Sequence, residues 1–245
     1  MRLPAGVVLI AGPSGSGKSF IARRTGLPVL HLDDFYKDSD DPTLPRTNNR
    51  IDWESPSAWD AAEAVRTITQ LARDGRAEVP VYAISADRRV GTRVLELNGS
   101  PLFIAEGIFA AEIQAECRSL GLLAGAYALR RPRALTFVRR LIRDLAERRK
   151  PAHVVIRRSL HLLRTEPQVL RRQTELGCRP AGGSEILREV AALAAAATRR
   201  ASNGSATEAT TVALPDQLRV GRLDHIVDDL QPLVERDERA LHRVD

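Results

Sequence analysis

Residues 12–19 read Gly-Pro-Ser-Gly-Ser-Gly-Lys-Ser, a GxxxxGK[ST] loop assembled from the residue types that a row of phosphates demands. Gly12, Gly15 and Gly17 let successive backbone N–H groups converge on phosphate oxygens, and the positive end of a following helix lies behind them. Ser14 and Ser16 add short polar groups. Lys18 has the reach for the β- and γ-phosphates, and the Ser19 hydroxyl is a ligand for Mg²⁺. Phe20 opens the helix. Residues Gly12 through Phe20 therefore imply a bound nucleoside triphosphate, with ATP and Mg²⁺ as the expected pair.

A phosphate loop alone does not separate a phosphoryl transferase from an ATP-driven switch, so the acids decide. Asp33 and Asp34 follow directly on the apolar run Val29–Leu32, which places them at the carboxyl edge of a sheet, where doubly wound folds bind their ligands. A carboxylate there can take the proton of an attacking hydroxyl, and Asp33 is the candidate base. Glu106 ends the run Leu102–Ala105 in the same way. With Ser19 and Asp33 it completes an oxygen set suited to Mg²⁺. Farther on, Arg139, Arg140, Arg143, Arg148, Arg149 and Lys150 crowd one predicted helix. Cations closing over a transferring phosphoryl group would stabilise its spreading charge and keep water out. This helix is therefore expected to act as a lid.

The elements that must position these residues alternate between strand and helix. That alternation predicts an α/β fold built on a mostly parallel sheet with helices on both faces. Val7–Ala11 is the first strand, its helix runs to about Thr25, and Val29–Leu32 is the second strand. Residues 38–50 read as loop. Ser55 is expected to cap a helix that Pro56 opens and that continues to Asp74. Val79–Tyr82 and Thr92–Leu97 form a small β-excursion, over about 79–98, that turns back near Asn98-Gly99. Leu102–Ala105 and Ala124–Leu129 are further core strands, separated by a short helix over 111–120. The phosphate-binding domain is expected to span 1–200, with the lid at about 132–180. An Ala-rich helix covers 184–200, residues 201–209 read as a linker, Thr211–Leu214 as a last short strand, and 222–241 carries helical spacing.

The bulk composition narrows the class. The chain has 245 residues and a formal charge of +6, yet lysine occurs only at 18, 37 and 150. Arginine supplies nearly all of the 37 basic residues, a bias that genome composition explains as well as nucleic-acid binding does. Five Phe, three Tyr and two Trp give no interleaved aromatic platform, which argues against nucleic acid as the main partner. No apolar run approaches a membrane span and no signal pattern opens the chain, so a cytoplasmic enzyme is expected. Cys117 and Cys178 lie in no metal-binding or redox spacing. A homo-oligomer is left open.

Six blocks together resemble the uridine kinase branch of the uridine kinase/phosphoribulokinase family. They are Gly12–Ser19, Leu32–Asp38, Asp52–Asp60, Pro80–Tyr82, Ala105–Ile108 and Arg139–Arg148, in the family's order over about residues 6–150. The resemblance implies phosphorylation of the 5′-hydroxyl of a uridine- or cytidine-type nucleoside. It implies Asp33 as base, Glu106 beside it at Mg²⁺, and Tyr82 in the nucleoside pocket. Arg140, Arg143 and Arg148 match lid and substrate-phosphate arginines. The ribose-contacting acid falls on Glu54 by direct alignment, with Asp52 two residues earlier as the alternative. After Pro80-Val81-Tyr82 the family usually continues with Asp and then a base-reading His, whereas here the chain runs Ala83-Ile84-Ser85-Ala86-Asp87-Arg88-Arg89. A kinase for another small alcohol, pantothenate- or sugar-like, and a non-catalytic nucleotide-binding module are the rival readings.

Overall fold

A computed structural model describes residues 4–48, 50–130 and 167–208 of the chain. The first apolar run forms β1 (Gly6–Ala11), which leads through the glycine loop into α1 (Lys18–Arg24) and β2 (Val29–His31). A two-residue pair, β3 (Arg46–Thr47) and β4 (Arg50–Ile51), interrupts the polar stretch that follows. Next come α2 (Ala61–Asp74), the hairpin strands β5 (Arg76–Ala83) and β6 (Arg88–Glu96), then β7 (Leu102–Gly107), α3 (Gln114–Ser119) and β8 (Leu123–Leu129). Beyond residue 166 lie α4 (167–175), β9 (Arg179–Ala181) and α5 (Gly183–Glu208).

Five strands make the core sheet, in the order β2-β7-β1-β8-β9, every neighbour parallel. Strands covered on both faces are near-continuous apolar runs, and β1 is one throughout while β7 is one up to Ala105, before Glu106. Alternate residues feed two cores. Val7, Leu9, Phe103 and Ala105 meet Val65, Ile68 and Leu71 of α2 on one face. Val8, Ile10, Ile104 and Tyr127 meet Ile21 of α1 with Ile186 and Val190 of α5 on the other. Helices thus cover both faces, as the alternation required. The chain leaves β1 toward β2 on one side, whereas it leaves the neighbouring β7 for β8 on the other side of β1, so the phosphate loop opens at the point where strand order reverses.

Several local expectations are corrected. The second strand stops at His31, and Leu32–Phe35 winds into a 3₁₀ turn, so Asp33 and Asp34 stand on a tight turn. The helix expected from Pro56 is split. Ser55 accepts from the Ser57 N–H and caps only a 3₁₀ turn, Pro56–Ala58. Trp59 then goes extended to bridge Tyr36, and Asp60 caps α2 by accepting the Glu63 N–H at 2.8 Å. The excursion is longer than its apolar core and turns at residues 84–87, while Asn98-Gly99 only returns the chain to the sheet. The 111–120 helix begins as a 3₁₀ turn over Ala110–Ile113. The backbone of 201–208, expected to be a linker, continues α5 to Glu208. Residues 167–180, assigned to the lid, join the body. Arg172 makes a two-pronged ion pair with Glu112, and β9 pairs with β8. Arg140, Arg143, Arg148 and the rest of 131–166 lie outside the described residues, as do Thr211–Leu214 and 222–241.

Candidate active site

Parallel neighbours in a sheet end together, and the site is built from that fact. Register puts Ile10 of β1 and His31 of β2 on either side of Glu106 in β7. Ser19, at the start of α1, donates its hydroxyl to Glu106 Oε1 at 2.8 Å. His31 Nδ1 lies 2.8 Å from the same oxygen. Glu106 is 3% exposed, and its other oxygen, Oε2, is buried with no hydrogen-bond partner among the described residues. Burial pushes the Glu106 carboxyl upward, but the His31 hydrogen bond, the Lys18 charge and the Ser19 hydroxyl outweigh it, leaving the group below the usual range. His31 is raised by its bond to Glu106, with the Glu106 and Asp34 charges opposing burial and Arg93.

Asp33 faces the same strand end. Its Oδ1 accepts the Ile108 N–H at 3.3 Å, just beyond β7. Gly107 makes room for this approach, since a Cβ there would lie 2.9 Å from Asp33 Oδ1 and 2.8 Å from Leu32 Cβ. Protein surrounds Asp33 densely, although the side chain stays open to water at the mouth of the cleft. Burial raises its carboxyl above the ordinary value, Glu106 adds to the rise, and Lys18, the Ile108 N–H and His31 oppose it. Mouth water tempers this rise without reversing it.

The phosphate loop has the conformation its glycines permit. Gly15 and Gly17 lie at φ 80° and 90°, the left-handed region that side chains resist. Buried Lys18 donates to the Pro13 carbonyl at 3.3 Å, across the loop. Ser16 Oγ is buried with no hydrogen-bond partner among the described residues, and a Cβ on Gly12 would lie 2.9 Å from it. Ser14 is half-buried, and Phe20 is exposed under Arg24, 5.5 Å from its ring centroid.

The hairpin closes over the turn that carries Asp33 and Asp34. Asp34 accepts the Tyr82 N–H at 3.3 Å, Asp38 accepts the Arg89 N–H at 2.7 Å, and the Arg89 guanidinium pairs with Glu63 of α2. Tyr82 donates its hydroxyl to the Lys37 carbonyl at 3.4 Å. Burial, then Asp87 and Asp38, push that hydroxyl up to about 12. Tyr36 sits at the centre of an aromatic collar, 5.8 Å from Tyr82, 5.8 Å from Trp53 and 5.9 Å from Phe109 between ring centroids. Trp53 carries its neighbours Asp52 and Glu54 to this wall. Asp52 turns back on its own loop to accept the Glu54 N–H, and Glu54 is exposed.

Lys18, Ser19, Asp33 and Glu106 are therefore brought together, and Tyr82 lines the adjoining wall. Asp52 and Glu54 stand beside Trp53 and, among the described residues, make no hydrogen bond to that cluster. A groove of about 430 Å³, lined by Lys37, Asp38, Asp41, Asp60 and Arg89 among others, adjoins the turn. A larger one of about 570 Å³ runs along α2 and shares no residue with the cluster. His31, the collar of Tyr36, Trp53 and Phe109, and the Ile108 N–H were not singled out from sequence. The signal for His31 was its place two residues before Asp33, at the end of a strand parallel to the one that ends in Glu106.

Such a cluster, at the reversal point of a parallel sheet behind a GxxxxGK[ST] loop, defines a phosphoryl transferase of the phosphate-loop kind. The chain belongs to the Phosphoribulokinase / Uridine kinase family, whose model matches residues 7–161, and it is a phosphotransferase acting on a hydroxyl group. A uridine kinase of Deinococcus deserti is 32% identical over 168 residues, 64% of this chain and 77% of that protein. One of Schizosaccharomyces pombe is 35% identical over 109 residues, 41% of this chain, which spans only 24% of that longer protein. Among solved structures, a candidate fructose transport system kinase from Silicibacter sp. TM1040 superposes with a TM-score of 0.53 at 19% identity. The match covers 69% of this chain and 85% of that one, a likeness of fold. No described helix is long and apolar enough to cross a membrane.

Proposed function

We propose that the chain transfers the γ-phosphoryl group of ATP to the primary 5′-hydroxyl of a nucleoside-like acceptor, of the uridine or cytidine type. One observation carries the reading. Ser19 and Glu106 join across the end of β1 and β7 beside Lys18, while Asp33 stands at the same edge, held by the Ile108 N–H. Asp33 accepts the proton as the acceptor oxygen forms its bond to phosphorus and the bond to the bridging oxygen of the leaving ADP breaks. Lys18 and the loop amides neutralise charge on the phosphates, so positioning and electrostatics supply the rate.

The residues present fit Mg²⁺. The Ser19 hydroxyl spends its proton on Glu106 and keeps its lone pairs, and Glu106 Oε2 is a buried acceptor without a donor. Among the described residues no three His, Cys, Asp or Glu side chains form a ready-made cage. That suits a cation held by one or two protein oxygens and the substrate's phosphates. When bound, Mg²⁺ would offset phosphate charge; Ser19 and Glu106 would hold it, with Asp33 nearby.

A second acceptor class, another small alcohol, draws support from the hairpin, whose turn 84–87 is exposed and carries no His. Purified protein with ATP, Mg²⁺ and a panel of nucleosides, sugars and pantothenate-like alcohols tests both. Turnover of uridine or cytidine supports the first reading and turnover of another alcohol supports the second. ATP binding with no acceptor phosphorylated overturns both.

A further inference from the structure

Glu106 is gripped on one side only. Ser19 from the β1 side and His31 from the β2 side converge on Oε1, each at 2.8 Å, while Oε2 is buried with no donor among the described residues. A single donor fixes one oxygen but leaves the carboxylate plane free to swing about it. Two donors arriving from opposite sides, one from the start of α1 and one from the end of β2, fix the plane. The parallel register makes the arrangement rigid, because His31 is paired directly with Glu106 in the β2–β7 ladder. A buried carboxylate oxygen without a donor is costly unless a cation answers it. The fold therefore withholds from Oε2 the very partners it lavishes on Oε1.

We propose that His31 is a positioning residue for Glu106, holding Oε1 so that Oε2 remains the oxygen presented to a divalent cation. This rests on the phosphotransferase reading above. Ser19 cannot serve alone, because it must also offer its own oxygen to the cation. Among the described residues the His31 side chain makes no other hydrogen bond. Its side chain, 39% exposed, lies at a strand end outside both buried cores, so its contribution is aimed at Glu106 and not at packing.

The test is direct binding of Mn²⁺, followed by its electron paramagnetic resonance signal, to the full chain with a non-hydrolysable ATP analogue. His31→Leu keeps bulk and removes the donor. His31→Asn keeps a side-chain N–H near the place of Nδ1. Loss of an outer-shell partner of a metal ligand typically weakens metal affinity about 10–100-fold. His31→Leu is expected to fall in that range, with His31→Asn restoring most of the affinity and acceptor KM little moved in either. Equal affinity in wild type and His31→Leu overturns the role of His31 while leaving the kinase reading intact, and so does an equal loss in Leu and Asn. Absence of Mn²⁺ binding by the wild-type chain overturns both readings. Should His31→Leu fail to fold, wild-type affinity in His31→Asn supports the role and a 10–100-fold loss in that folded variant overturns it.

Discussion

A carboxylate that takes a proton from an alcohol must be reachable by the alcohol and reluctant to remain ionised. Asp33 meets both conditions, being open at the cleft mouth and raised by burial and Glu106. Asp33→Asn is expected to lower kcat by about 10²-fold or more, the range for loss of a general base, with the KM for ATP nearly unchanged. Steady-state kinetics check this, and an unaltered kcat removes the assignment. The same raised pKa has a stability consequence of definite sign. A group whose folded pKa exceeds its unfolded value holds its proton more tightly when folded. Its favourable contribution is complete below the unfolded value and is lost as pH rises through the folded one. Asparagine, always neutral, should therefore make the protein more stable than wild type at pH 7. The gap should close as pH falls toward the ordinary aspartate value, as thermal melts across pH would record. Gly107→Ala tests the same carboxylate from behind. The added Cβ would meet Leu32 Cβ at 2.8 Å and Asp33 Oδ1 at 2.9 Å, so Asp33 must shift. A displacement of that order costs about 10²-fold in kcat, and kinetics showing no loss would mean that the turn gives way elsewhere. Nothing in the sequence marked Gly107 for this purpose, since its need is set by a residue 74 positions earlier, on the turn that follows β2.

At the scale of elements, the hairpin is the part that closes the acceptor side, and it is held by polar staples. Arg89 reaches Glu63 of α2 while its own N–H binds Asp38, and Asp34 takes the Tyr82 N–H. Arg89→Met removes the half-buried, two-pronged pair and is expected to cost about 1–2 kcal/mol in urea unfolding. Acceptor KM should rise several-fold while ATP KM stays put, because the phosphate loop lies on another element; a matching rise in both would refute this division. Asp60→Ala should cost about 1 kcal/mol by removing the cap of α2. These elements also show what a sequence can and cannot reveal. The β1 and β7 strands and the two faces of the sheet were legible, because strands buried on both sides read as near-continuous apolar runs, broken in β7 only by Glu106. The break at Trp59 was not, since its causes are remote. Trp59 donates its indole N–H to the Leu32 carbonyl at 2.6 Å and bridges Tyr36, and neither partner is near in sequence. The glycine loop, Asp33 and Glu106 were readable because strand ends announce themselves, whereas Asp52 and Glu54 lie on a loop whose course depends on where Trp53 packs.

At the scale of the whole molecule, the family match ends at residue 161, yet the sheet does not. Arg179–Ala181 adds the outermost parallel strand beside β8, and α5 lays Ile186 and Val190, 0% and 1% exposed, against Val8, Ile10 and Tyr127. Without these residues one face of the central strand that carries the phosphate loop would lose part of its cover, and the outer edge of β8 would be left open, a template for association. The region past the match is therefore part of the phosphate-binding body. Ile186→Ala should lower stability by about 2–5 kcal/mol, the range for emptying a packed core site, through a single cooperative transition. While the protein remains folded its kcat should be close to wild type, because Ile186 belongs to the core under α1 and α5 and not to the strand-end cluster. Urea unfolding followed by fluorescence and by far-ultraviolet dichroism distinguishes the cases. Coincident curves shifted together place α5 within the cooperative unit. An early dichroism change that leaves the remaining transition at its wild-type midpoint would mean that α5 unfolds on its own and that the sheet does not depend on it.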